Sequence, residues 1–285
     1  SESVLKGLPA EEFPLIPEVD RGLFYSAKID DLKEAFSQTV FAVSQSESRL
    51  ELSGVLLDFN SGGKKLTAAA TDSYRLAEKT INIKSNMENA PDKRVIVPAR
   101  TAQEVVRILA NAPKTEEQET GDEIKFYISE NQILFVFGAT ELVSRLIEGQ
   151  YPDYKQIIPA QSKTKAIINK QELTRAVKAS ALFSKTGIND INLDFPQGKN
   201  LAVVSSASGQ AGESVIELDA DVTGEDNGVV VNFRYLLDGL NNIQSENVKI
   251  EIIDSNTPCV LKPSSSSADK GKGDDYLYII MPIKQ

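Results

Sequence analysis

The chain nearly repeats itself, and that repetition constrains its fold more than any motif it carries. Residues 3–17 run as a short apolar stretch, then Gly7, the pair Phe13-Pro14 and the exit Ile16-Pro17. Residues 144–159 follow the same plan with Gly149, Tyr151-Pro152 and Ile158-Pro159. The second copy closes a unit that begins near Leu23, whereas the first closes nothing visible. Residues 1–20 are therefore expected to be the terminal strand and linker of a further, missing unit. Domain-scale repetition implies pseudo-symmetric architecture, because one packing solution is reused.

A length of 285 residues suits two domains, each within the usual range of about 100–200 residues. The units read as 21–158 and 159–285, each holding a strand–helix–three-strand pattern twice. In the first unit a strand over 24–29 precedes a helix that Asp30 or Asp31 caps. Leu32, Ala35, Phe36, Val40 and Val43 recur at helical spacing and give that helix one apolar face. Strands follow over 52–59, 65–71 and 76–83. The stretch 94–98 leads into a second helix, with Pro98 in its first turn and Ala102, Val105, Val106 and Leu109 inward. Strands over 124–129, 133–137 and 141–147 close the unit. The second unit opens with a strand at 165–168 and a helix carrying Leu173, Ala176, Val177 and Ala181. Strands at 192–195, 201–205, 214–220 and 229–231 then precede a helix with Phe233, Leu236, Leu237, Leu240 and Ile243. Strands at 248–253, 259–262 and 276–281 end the chain. Residues 151–164 form the connector, stiffened by Pro152 and Pro159. The acidic segment 113–122 and the Ser- and Gly-rich segment 263–275 read as mobile loops.

The catalytic vocabulary is thin. There is no histidine and one cysteine, Cys259, which argues against zinc sites and against Ser-His or Cys-His catalysis. No calcium-loop spacing and no Gly-rich phosphate cradle is present, so no metal or cofactor is expected. Cys259 lies in a strand and reads as buried rather than reactive. Asp72 and Asp153 sit in turn sequences, where Asp hydrogen-bonds the backbone; a magnesium-dependent hydrolase built on either is one rival reading. A β-rich repeat module for adhesion or interaction, with no role on DNA, is another. No apolar run approaches the ~18–20 residues that span a bilayer. The lone cysteine fits a reducing cytoplasm. A start at Ser1, with no Met and no basic leader, is expected of a trimmed chain rather than a secreted precursor. The net charge of −10 argues against gripping nucleic acid with the whole surface, but leaves room for a local basic face.

Five stretches carry a resemblance: Leu-Thr-Ala-Ala-Ala-Thr-Asp-Ser-Tyr-Arg-Leu-Ala at 66–77, Val-Ile-Val-Pro at 95–98, Ile-Glu-Gly-Gln-Tyr-Pro-Asp-Tyr at 147–154, Ile-Ile-Pro at 157–159 and Tyr-Ile-Ile-Met-Pro-Ile at 278–283. In that order and spacing the whole chain resembles the bacterial sliding clamp family, the β subunit of DNA polymerase III. The resemblance implies an α+β fold of two tandem pseudo-symmetric DNA-clamp domains, with antiparallel sheets outside and two helices per domain lining the inner face. It also implies a non-catalytic processivity factor, a head-to-tail homodimeric ring through which duplex DNA is threaded without sequence reading. The chain then looks like the second and third of three domains. Since the family closes its ring through the first, these two units alone are not expected to close. Retention by topology removes the objection raised by the acidic charge, since only the lining helices must tolerate phosphates. The implied partners are duplex DNA, the DNA polymerase III α subunit, the clamp loader, repair polymerases bound through short linear motifs and a second copy of the subunit. No membrane is involved, and the implied location is cytoplasmic.

Carried over residue by residue, the family's peptide-binding groove falls on Leu52, Thr71, Ser73, Tyr74, Arg75, Leu76, Pro152, Ile157, Ile279, Met281, Pro282 and Ile283. Apolar side chains, one flexible Met and fixed Pro backbones suit a groove for apolar peptide anchors. The competing reading makes 71–75 a strand-end turn with an Asp72–Arg75 ion pair, and the last strand plain core. Many members carry Gly-His where Ser73-Tyr74 stands, and Lys284 and Gln285 replace a more usual Arg and an apolar residue. On the DNA side the candidates are Arg49, Arg100, Arg107, Lys170, Arg175, Lys178 and Arg234. The stretch 170–185, read as one helix, is the most basic, with Lys185 added against Glu172; the alternative is an ordinary solvated helix face.

Overall fold

The computed structural model describes residues 2–12, 18–46, 48–111, 123–264 and 275–284. Two runs of the same order build it. The first is β1 (Phe24–Lys28), α1 (Ile29–Ser37), β2 (Gly54–Asn60), β3 (Lys65–Thr71), β4 (Arg75–Asn82), β5 (Lys84–Ser85), β6 (Lys93–Pro98), α2 (Ala99–Ala110), β7 (Glu123–Ile128), β8 (Gln132–Phe137) and β9 (Thr140–Arg145). The second is β10 (Thr164–Asn169), α3 (Lys170–Ser180), β11 (Asp190–Phe195), β12 (Leu201–Ser208), β13 (Gly212–Gly224), β14 (Asn227–Asn232), α4 (Phe233–Asn242), β15 (Asn247–Ile252), β16 (Cys259–Ser264) and β17 (Tyr276–Ile280).

Each run folds by exchanging strands between its halves. The strand before the first helix pairs with the strand after the second, β1 with β7 and β10 with β15. The strand before the second helix pairs with the strand after the first, β6 with β2 and β14 with β11. This is the internal pseudo-symmetry expected of nested repetition. The units differ in one respect. The 13-residue β13 passes unbroken from β12 to β10. The matching path in the first run is interrupted at Ile83 and resumes as the short β5 on β1.

The result is a 5-stranded sheet, β5-β1-β7-β8-β9, and a 12-stranded sheet, β14-β11-β12-β13-β10-β15-β16-β17-β4-β3-β2-β6. The larger sheet crosses from one unit to the other where β17 lies antiparallel to β4, in register from Tyr276↔Lys79 to Ile280↔Arg75. Strand alternation gives that sheet two faces. Val55, Leu57 and Phe59 of β2 and Tyr276, Tyr278 and Ile280 of β17 join the main core with the buried faces of all four helices. Leu56 and Ile279, between them in sequence, join a separate cluster on the other side. The helices form a row. α1 packs on α2 and α3 on α4, and α1 meets α4 where Gln38 donates from Nε2 to the Asn242 carbonyl, 3.0 Å away. Gly239 lets α4 close on β17, since a Cβ there would run into the Tyr278 ring.

Several local expectations are corrected. Lys28, not Asp30 or Asp31, occupies the position ahead of α1 and makes no side-chain cap. The two carboxylates stand in the first turn, where they favour the helix dipole. Helix α1 stops at Ser37, and Val40 lies in a separate 3-10 turn, Val40–Ala42. Thr39 diverts the chain there by donating from Oγ1 to the Ala35 carbonyl at 2.7 Å. Pro98 precedes α2 instead of entering it, and α3 ends at Ser180, so Lys185 is not helical. Residues 2–12 hold one 3-10 turn, Ala10–Glu12, and no strand; Val4, Leu5 and Leu8 are exposed. Residues 13–17, residues 112–122 with the whole of the first expected loop, and residues 265–274 of the second lie outside the described residues, as does Gln285.

Candidate peptide groove and helix face

Directly opposed residues of antiparallel strands share a sheet face. Thr71 of β3 opposes Leu76 of β4, Leu76 opposes Ile279 of β17, and Ile279 opposes Val260 of β16. This row lies on the side away from the helices. Leu52, Leu56, Leu76, Ile96, Val260 and Ile279 pack there with Tyr151 and Tyr154 of the connector. Both units and the segment between them therefore contribute to one apolar cluster.

The connector is fastened to this face. The Tyr154 hydroxyl donates to Glu78 Oε2, and the Tyr154 amide donates to the Pro152 carbonyl at 2.8 Å. Burial, then the neighbouring Glu78 carboxylate, pushes the Tyr154 phenol pKa well above its ordinary value. Tyr151 is raised mainly by burial.

The turn at 71–75 is tightly wired. Asp72 Oδ1 accepts from the amides of Tyr74 (2.9 Å) and Arg75 (3.0 Å). Thr71 Oγ1 donates to the Arg75 carbonyl at 2.6 Å and accepts from the Ser73 amide at 3.1 Å. Ser73 adopts φ +79°, a left-handed conformation that glycine takes at less cost. The Asp72–Arg75 ion pair is present at 2.9 Å, but Arg75 does more. It also reaches Asp238 of α4, donates to the Phe41 carbonyl at 2.9 Å and lies 4.7 Å over the Tyr235 ring. The turn reading is thus correct for Asp72 and Arg75, and Arg75 additionally ties the first unit to the second.

The expected groove residues occupy three levels. Leu52, Thr71, Leu76 and Ile279 are buried and form the floor; Arg75, Pro152, Met281, Pro282 and Ile283 are half-buried around it. Ser73, Tyr74 and Ile157 are exposed at the rim, with Tyr74 64% and Ile157 40% accessible. The last strand itself is core, buried at Tyr276, Tyr278, Ile279 and Ile280, and the half-buried residues 281–283 continue beyond it. The Met281 amide donates to the Tyr74 carbonyl and the Ile283 amide to the Val230 carbonyl, both at 2.8 Å. Residues 281–283 are thereby carried from the edge of β4 to β14. Sequence reasoning missed Tyr151, Tyr154, Leu56 and Val260. The first two bracket Pro152 in Tyr-Pro-Asp-Tyr, a visible signal for aromatic packing on both sides of a fixed turn.

On the helix row, Arg100 and Arg107 stand two turns apart on α2, opposite the buried Ala102, Val105 and Leu109. Arg175 and Lys178 are exposed on α3, opposite Leu173, Ala176 and Val177. Arg234 is exposed on α4. Arg107 is held by Glu104 (Nε–Oε2 2.9 Å), and Lys170 donates to the Ile243 carbonyl at 2.6 Å. Arg49 stands elsewhere: it bonds Glu51 (2.9 Å) and Ser73 Oγ (3.2 Å), beside the groove rim. Arg100, Arg175, Lys178 and Arg234 form no ion pair among the described residues.

No cluster of three or more His, Cys, Asp or Glu able to hold a metal occurs among the described residues. Asp72 is committed to the turn, and Asp153 Oδ2 accepts from Gln156 Nε2 at 2.8 Å. Among the described residues, no helix is long and apolar enough to cross a membrane.

A family model for the DNA polymerase III beta subunit, central domain, matches residues 27–153, and one for the C-terminal domain of the same subunit matches residues 155–283. The beta sliding clamp of Staphylococcus aureus (strain Mu50) is 32% identical over 288 residues, an alignment spanning 100% of this chain and 70% of that protein. The beta sliding clamp of Staphylococcus epidermidis (strain RP62A) is likewise 32% identical, over 287 residues, with the same coverage. The DNA polymerase sliding clamp of Bacillus subtilis superposes with a TM-score of 0.84 at 28% identity, over 98% of this chain and 68% of that one. A sliding clamp from Pseudomonas aeruginosa, solved bound to griselimycin, superposes with a TM-score of 0.84 at 26% identity, over 98% of this chain and 70% of that one. None of these relatives supports an adhesion module or a hydrolase. The sequence, the strand-exchanged repeats and these matches agree: the chain belongs to the family of the DNA polymerase III β subunit, the β sliding clamps.

Proposed function

We propose that the apolar cluster at the β4–β17 junction is the site where this clamp docks partner peptides, and that its helix row faces duplex DNA. The chain is a DNA sliding clamp, a processivity factor rather than an enzyme. One observation carries the docking reading: Leu52, Leu76 and Ile279 lie on the helix-free side of the sheet, packed with Tyr151 and Tyr154 of the connector, and are drawn from both units. A face with an apolar floor drawn from both units and exposed Tyr74 and Ile157 at its rim suits the apolar anchors of short linear motifs. Met281 adds an adaptable wall. The proposed occupants are motifs of the polymerase α subunit, the clamp loader and repair polymerases. The Pseudomonas aeruginosa clamp solved with griselimycin supports a ligand site on this fold.

Opposite, Arg100, Arg175, Lys178 and Arg234 supply unpaired cations to phosphates, while the acidic remainder of the surface is tolerated because threading retains DNA. Duplex DNA and a second subunit in a head-to-tail ring are the further proposed partners, in the cytoplasm. The proposed division of the chain into clamp units is 21–158 and 159–285.

The test is titration with a peptide of Gln-x-x-Leu-Phe pattern, expected to bind with roughly micromolar affinity. Leu76 is fully buried, so Leu76→Ala risks the fold. Met281→Ala combined with Ile157→Ala removes half-buried and exposed contacts instead, and is expected to weaken binding at least about tenfold. Unchanged affinity in that double variant would remove the assignment.

A further inference from the structure

The row that floors the groove does not stop at Val260. Val260 opposes Glu251 of β15, and Glu251 opposes Lys165 of β10. One sheet face therefore presents Thr71, Leu76, Ile279, Val260, Glu251 and Lys165 on neighbouring strands, apolar at one end and charged at the other. Above the charged end lies a cavity of about 410 Å³, floored by Lys165, Glu251, Val260 and Lys262 and walled by residues 159–162 as the chain leaves the connector. Val260 belongs to both the apolar cluster and the cavity, so the groove floor and the cavity floor meet at that residue.

The charges in this cavity are arranged for an anion. Glu251 is mostly buried, 13% exposed, and is clamped by Lys262 (2.8 Å) and Lys249 (3.5 Å). Burial works against its charge, but the two ammonium groups outweigh burial and hold the carboxyl below its ordinary range. Glu251 thus fixes the neighbouring lysines. Lys165 is exposed and forms no ion pair among the described residues. Lys165 and Lys262 line the cavity against one acid, Glu251, a surplus of cation in a protein whose net charge is −10.

We infer that this cavity is a second subsite of the docking groove, which receives the carboxylate of an Asp or Glu flanking the apolar anchors of the docked peptide. The inference rests on the groove reading above. Neighbouring strands lie ~4.8 Å apart, so Val260 to Lys165 is two steps, about 10 Å. An extended chain covers that distance in about three residues. The acid therefore belongs about three positions beyond the anchor that sits over Val260, on the side leading away from the first unit.

The experiment uses a Gln-x-x-Leu-Phe peptide with neutral flanks and a set in which one Glu is placed two, three or four positions beyond either end. A Glu on one flank is expected to tighten binding about two- to fivefold, the range of a solvent-accessible ion pair. The gain fades as salt rises and turns into a loss in Lys165→Glu, whose side chain is exposed and whose fold is monitored by circular dichroism. The effect of each Glu is read against the neutral peptide bound to the same variant. A Glu gain that survives Lys165→Glu, or no gain at any position, overturns the subsite. Loss of the groove reading gives a different result, since the neutral peptide then fails to bind or ignores Met281→Ala.

Discussion

Arg75 is the residue whose removal the structure prices most clearly. Its side chain is 12% exposed, that of Asp72 15% and that of Asp238 47%. Arg75→Met keeps the stem but deletes the guanidinium, leaving the Asp72 carboxylate in a nearly buried site without its cation. Breaking such a pair costs about 3–5 kcal/mol, and the lower end applies because two backbone amides still bond Asp72. Loss of the donor to the Phe41 carbonyl adds about 1 kcal/mol, and loss of the contact over the Tyr235 ring adds about as much. The sum is roughly 5 kcal/mol, a large share of a typical folding stability of about 5–15 kcal/mol. Asp238→Asn touches a half-exposed partner and is expected to cost less than about 1 kcal/mol. Denaturant unfolding followed by far-ultraviolet circular dichroism measures both variants. Arg75 joins the turn before β4 to α4, so Arg75→Met is also expected to broaden the transition as the units uncouple. A loss below about 1 kcal/mol in Arg75→Met, or equal losses in the two variants, would refute the reasoning.

Three further outcomes are expected. Ser73→Val, which forces a β-branched side chain into φ +79°, should cost about 1–2 kcal/mol while Ser73→Gly costs nothing; equal tolerance of both would contradict the assigned backbone. Tyr154→Phe removes the hydrogen bond to Glu78 and should cost about 1–3 kcal/mol and weaken peptide binding by loosening the connector; undiminished affinity would mean the connector does not shape the groove. Burial pushes the Cys259 thiol up to about 12, above its unfolded value of about 8.5. The neutral thiol therefore contributes stability that is complete below about pH 8.5 and is lost as pH rises beyond it. The native thiol should resist alkylation at pH 8 and react at the rate at which the chain unfolds, and rapid labelling in native buffer would contradict its burial beside β17.

Periodicity made most of the fold legible. The alternation Tyr276, Tyr278, Ile280 against Leu277 and Ile279 is a strand with two apolar sides, and the burial of those residues follows it. Local signals failed where tertiary contacts decide. The end of α1 depends on the Thr39 hydroxyl turning back on Ala35, and β5 is two residues held by β1. Most of β13 is exposed or half-exposed, so hydrophobic alternation marks its middle but not its ends. The groove was legible only through resemblance, because its floor is assembled from β3, β4, β16, β17 and the connector. Arg75 and Asp238 are 163 positions apart, and no local pattern pairs them. Arg49 shows the same limit: its charge is readable, but its place beside Ser73 is set by the path of the chain between α1 and β2.

The most direct test of the docking site lies in the two methionines, Met87 and Met281. Met281 follows β17 at the groove, whereas Met87 follows β5, half-exposed beside the smaller sheet. Isotope labelling of the methionine methyl groups gives one signal from each in a two-dimensional spectrum. Titration with the Gln-x-x-Leu-Phe peptide should move the Met281 signal, to saturation, and leave Met87 in place. A shift of Met87 with Met281 unmoved at saturating peptide would place the docking site elsewhere and contradict the account.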